Sequence, residues 1–220
     1  MRLAGLLLGA TLLVPVTAHA DAITFTATFS GTTETLTGDF AFLSNKPFEF
    51  SYTFDATTID LNPGDPQSGF YPGAIRDGRF RVTGLMGGPL TWILDASGAN
   101  NAIQVITTST AHSYNAGADV NGPSIGSATP VFVSLLLVDR DLEAFSSDAL
   151  PTSIDLADFE WNRTIQFTFI GADPTCCSTF GTIERARVQQ VPEPSTLALL
   201  GIGLAGVIAT VRRRRASSST

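Results

Sequence analysis

The residues best suited to chemistry in this chain form one short acidic tripeptide, Pro192-Glu193-Pro194. Two prolines within three residues fix φ and delete two backbone donors, so the segment stays extended and cannot join a helix or sheet interior. Glu193 is the only charge between Arg187 and Arg212. An extended backbone marked by one carboxylate suits a protease or transpeptidase that reads the tripeptide and cuts beside it. The chemistry expected here is done to the chain, not by it.

Other reactive groups are sparse. Cys176 and Cys177 are adjacent. Neighbouring Cα atoms lie about 3.8 Å apart, below the usual disulfide range, so two free thiols or bridges to another molecule compete with a strained redox-active vicinal bond. His112 is the one imidazole left once His19 departs. No G-x-S-x-G elbow accompanies it, which leaves a hydrolase as the third functional reading. One histidine and two adjacent thiols match no zinc spacing. Asp55, Asp60 and Asp65, with Asn62, crowd a proline-rich loop, and Asp139, Asp141 and Glu143 alternate farther on. Both groups are weak calcium candidates without the EF-hand pattern, and solvated turn acids explain them as well. No cofactor or metal is expected.

Both ends of the chain carry addresses. Arg2, the leucine-rich run Leu3 to Val14 and Ala18-His19-Ala20 make residues 1–20 a signal peptide for signal peptidase. At the other end an apolar run of 15 residues, 197–211, is closed by Arg212, Arg213, Arg214 and Arg215. As a helix it spans roughly 22 Å against about 30 Å of hydrocarbon, so it is a short transmembrane anchor whose arginine stems cover part of the deficit. The four charges act as a membrane stop and hold the tail end in the cytoplasm, placing residues 21–190 beyond the inner membrane. Gly201, Gly203 and Gly206 fit G-x-G-x-x-G, yet no acid and no βαβ unit can follow in the residues that remain.

Pro192-Glu193-Pro194 with Ser195-Thr196, a Gly-rich apolar segment and a terminal arginine cluster resembles a PEP-CTERM sorting signal, here residues 191–216. The resemblance implies export and recognition by exosortase, an intramembrane cysteine transpeptidase. It also implies an inner-membrane-anchored precursor, a cell-surface or extracellular destination, and a setting of exopolysaccharide or biofilm matrix. The stretch from Tyr52 to Phe80 is similar to a segment recurrent in PEP-CTERM proteins, a likeness that implies no activity.

The body, residues 21–190, holds 19 acids against 8 bases, a net charge of −11 that disfavours nucleic acid and anionic lipid. Its length suits one domain. Ile23, Phe25, Ala27 and Phe29 alternate with threonines, Phe48, Phe50, Tyr52 and Phe54 alternate with polar residues, and Ile165, Phe167 and Phe169 repeat the pattern. Period two predicts half-buried strands. Further β-prone runs at 35–42, 75–83, 90–94, 103–110, 131–138 and 182–188 bring the count to nine, with residues 62–75 framing a long loop and His112 in another. The fold class expected is all-β: an antiparallel β-sandwich, with a jelly-roll variant among its forms, followed by the C-terminal transmembrane helix. Trp161, beside Phe159, reads as core. The leading function is a non-enzymatic surface or matrix component. The alternative is a carbohydrate-binding module for exopolysaccharide that uses Trp92, Trp161, Tyr52, Tyr71 and Tyr114 as stacking rings.

Overall fold

A computed structural model of the chain describes residues 23–171 and 178–192. Residues 1–20, read above as a signal peptide, Cys176, Cys177, Glu193, Pro194, the apolar run at 197–211 and Arg212 to Arg215 lie outside the described residues. Among the described residues no helix is long and apolar enough to cross a membrane.

Alternation becomes structure in β1 (Thr24–Thr33), where odd-numbered residues are buried and even-numbered ones half-exposed throughout. The same period recurs in β2 (Pro47–Asp55), β5 (Leu90–Leu94), β6 (Ala102–Thr107), β8 (Thr129–Asp139) and β9 (Asn162–Ile170), and β4 (Ile75–Val82) and β10 (Ser178–Gln190) complete the strands at the β-prone runs. Two further strands, β3 (Ser68–Pro72) and β7 (His112–Asn121), arise in segments that read as loops in the sequence. The run 35–42 is not a strand. Gly38 turns left-handed at φ 61° and Gly38–Leu43 wind into a 3-10 turn.

All pairings between strands are antiparallel. Their order runs β7-β5-β4-β2-β1-β10-β9-β8 and returns to β7, so the sheet closes as an eight-stranded barrel, with β6 and β3 added beside β7. This corrects the two-sheet sandwich expectation. A sandwich and a barrel bury the same alternate face of every strand. The difference lies in the β7–β8 ladder and in two pairs, Ile93↔Asn121 and Leu94↔Val120, which join the ends of one sheet. Closure removes free edges from the wall.

Side chains fill the interior. Phe29, Phe50, Tyr52, Trp92, Tyr114, Phe167 and Phe169 are among its fully buried residues. Rings meet at 4.4 Å between Phe167 and Phe169, 4.8 Å between Trp92 and Phe167, and 4.9 Å between Phe80 and Phe167. Each such ring contributes about 1.5–3 kcal/mol by leaving water. Trp92 Nε1 donates to Pro123 O at 2.8 Å, and the Tyr52 and Tyr114 hydroxyls meet at 2.6 Å in the core. Among the described residues the buried core runs from Phe25 to Ile183 and forms one cluster inside the barrel.

The register defines two ends. One, here called the upper end, holds the β1–β2 connection, where Phe40 packs 4.8 Å from Phe169, and the β4–β5 loop. The lower end holds the start of β1, the end of β10 and the long β8–β9 connection. That connection lays Phe145, Leu150, Ile154, Leu156 and Phe159 into or against the core.

Candidate functional site

The sorting tripeptide begins where the sheet stops. β1 and β10 pair from Thr33↔Gly181 to Phe25↔Gln190, and one further bond carries the ladder on, Val191 N–H to Thr24 O at 2.8 Å. Pro192 has no N–H with which to extend it. This proline is exposed, so the chain leaves the wall at the first residue of the motif. Ile23, also exposed, sits at the same end, and its carbonyl accepts Ala56 N–H at 2.9 Å. The first residues of β1 and the last of β10 therefore lie side by side at the lower end. Among the described residues the β1–β10 ladder thus ends at Val191, directly before the tripeptide.

The acid candidates are engaged in local structure. Asp55 is buried, and its carboxylate accepts Thr57 N–H at 2.8 Å and Thr57 Oγ1–H at 2.6 Å while pairing with Arg76 at 3.1 Å. Burial pushes the Asp55 carboxyl up, but these donors and the guanidinium outweigh it and hold the group below the usual carboxylate range. Asp60 accepts the N–H groups of Asn62 and Phe70, each at 2.8 Å, and Asp65 accepts Gln67 N–H at 3.0 Å. Each acid shapes its own turn. Among the described residues no group of three or more His, Cys, Asp or Glu side chains gathers as a metal site.

Asp139 and His112 do come together, though in a structural arrangement. Asp139 is fully buried, and its two oxygens accept four backbone N–H groups, those of Asp141, Leu142, Glu143 and Ala144, at 2.6 to 3.1 Å. Burial raises this carboxyl, and the four donors outweigh burial and lower it. His112 Nδ1 lies 3.8 Å from the carboxylate but accepts Phe145 N–H at 3.3 Å. A general base relayed through Asp139 would need that nitrogen protonated and donating to the acid. Here the pair clasps the start of the β8–β9 connection, and Leu142 is held at φ 65° within it.

The aromatic candidates divide unevenly. Trp92, Tyr52, Tyr71 and Tyr114 are buried. Tyr71 donates to Asp148 O at 3.0 Å, and burial, with Asp60 and Asp148 nearby, pushes its phenol up to about 12. Trp161, expected in the core, is 54% exposed, and the Arg140 guanidinium stacks 3.7 Å above its ring. The alternation fails there because the turn Leu156–Asp158 and the start of β9 at Asn162 break the frame between Phe159 and Trp161.

Comparison with known proteins agrees with this geometry at one place. The model of the PEP-CTERM protein-sorting motif matches residues 190–215, beginning at the last residue of β10. No curated protein and no solved structure matches the chain. The chain thus carries a PEP-CTERM sorting motif, which marks an exported protein directed to exosortase at the membrane.

Proposed function

We propose that this chain is a non-enzymatic surface or matrix component, a filled β-barrel that exosortase processes near Pro192-Glu193-Pro194 and that then works in the exopolysaccharide layer outside the cell. The observation that carries this reading is the exit of the chain. Among the described residues the last sheet hydrogen bond is made by Val191, beside the start of the matched motif, so processing after it spares the ladder and core described. The packed interior supports a role played by the outer surface. Exopolysaccharide as the setting rests on the resemblance of the tail.

Glu193→Ala in the native host tests the sorting step. The expected result is a folded barrel whose C-terminal segment is retained. A mature mass shortened as in the wild type would overturn the role of this carboxylate. The carbohydrate-binding alternative keeps one exposed ring, Trp161, beside Arg140. Affinity electrophoresis of residues 21–192 in the host polysaccharide tests it, and unretarded migration would remove it.

A further inference from the structure

The upper end of the barrel carries an apolar slot of about 460 Å³ lined by Phe42, by Leu85, Met86 and Leu90 of the β4–β5 segment, and by Lys46. Its size falls within the usual range of small-molecule sites. The loop is built to hold it open. Gly84 and Gly88 are both left-handed, at φ 72° and 94°, and Gly88 N–H closes a tight turn on Leu85 O at 3.1 Å. That turn thrusts Met86 fully into solvent, while Phe42 is 47% exposed across from it.

Lys46 is the only lysine in the chain, and the body around it carries 19 acids. Among the described residues its ammonium nevertheless has no ion pair. The backbone on either side is fixed, by Lys46 N–H to Thr33 Oγ1 at 2.9 Å and by Thr83 N–H to Pro47 O at 2.9 Å. The stem runs beside Gly84, where an added Cβ would lie 3.8 Å from Lys46 Cδ. An unpaired cation in the lining of an apolar slot complements a molecule with an apolar chain and an anionic head.

We infer that this slot binds a free long-chain carboxylate, its alkyl chain lying between Phe42, Leu85 and Met86 and its head on the Lys46 ammonium. A single-chain amphiphile fits better than an anionic bilayer, because the body's net charge of −11 repels such a surface. The slot lies at the opposite end of the barrel from Val191, about 25 Å away for a tilted ten-residue strand.

Met86 is the only methionine besides Met1, which makes the slot directly observable. Full-length chain labelled with ¹³C-methyl methionine, held in phosphatidylcholine nanodiscs, is titrated with decanoate below its micelle concentration and, separately, with decanol. The expected result is a saturable shift of the Met86 methyl resonance, with decanoate binding about tenfold tighter than decanol and Lys46→Gln abolishing that preference. The wild-type comparison of the two ligands needs no variant to fold. No shift of Met86 would overturn the inference, as would equal binding of acid and alcohol. A shift that appears only when the nanodiscs contain anionic lipid would replace it with a membrane-contact loop.

Discussion

Replacing Asp139 by asparagine tests whether one buried carboxylate organises the lower end of the barrel. Each of its oxygens takes two backbone N–H groups, Asp141 and Leu142 on Oδ1 and Glu143 and Ala144 on Oδ2. Hydrogen bonds to a charged acceptor are each worth about 1.5–3 kcal/mol. Not all four count in full, because Asp141, Leu142 and Glu143 are exposed and their amides regain water when the loop opens. The Ala144 amide is half-buried, and Leu142 at φ 65° costs about 1 kcal/mol that the clasp offsets. A net loss of about 3 kcal/mol follows for Asp139→Ala. Asn is no milder, since its NH2 would face the amides of Glu143 and Ala144, donor against donor. Because the folded-state pKa of Asp139 is lowered, its contribution is fully present above the unfolded value of about 3.9 and is lost as pH falls through the folded pKa. Urea unfolding of residues 21–192 at pH 7 and at pH 3 measures both effects. A loss below about 1 kcal/mol at pH 7 for the asparagine variant, or an equal loss at both pH values, would refute the clasp.

A tyrosine pair and one glycine test the barrel itself. Tyr52→Phe and Tyr114→Phe should each cost about 1–2 kcal/mol by stranding the partner hydroxyl in the core, and the double variant should cost clearly less than the sum; additive losses in urea unfolding would show the 2.6 Å contact to be energetically empty. Gly31 sits at a register shift against β10, where an added Cβ would fall 1.9 Å from Thr182 O, so Gly31→Ala should lower stability by about 2–4 kcal/mol. An unchanged denaturation midpoint would contradict that close approach.

How far the sequence discloses the fold depends on side-chain size. β1, β2 and β9 carry large rings at alternate positions, and their buried faces follow from period two alone; Leu90–Leu94 matches β5 residue for residue. β7 escapes because its inward residues include Ala116 and Ala118 and its centre is Gly117, against which the Phe132 ring packs closely enough to forbid a Cβ. Small residues give a weak hydrophobic signal, although this strand pairs with β5, β6 and β8. β3 escapes for a similar reason, being five residues long with Gly69 and Pro72 inside it. Barrel closure rests on contacts between residues far apart in sequence, which local periodicity does not encode. The end of the β1–β10 ladder at Val191 fits the sequence because proline chemistry is local: Pro192 has no N–H with which to extend it. The slot at Lys46 was not legible, since it joins a 3-10 turn to a loop some forty residues later.

The most direct measurement is the intact mass of the protein recovered from its host, compared between a wild-type strain and one lacking exosortase. The expected result is a chain that begins near Asp21 and ends near Pro192-Glu193-Pro194 in the wild type, and one that retains the apolar run and Arg212 to Arg215 when the enzyme is absent. A full-length chain with both ends intact in the wild-type cytosol would contradict it.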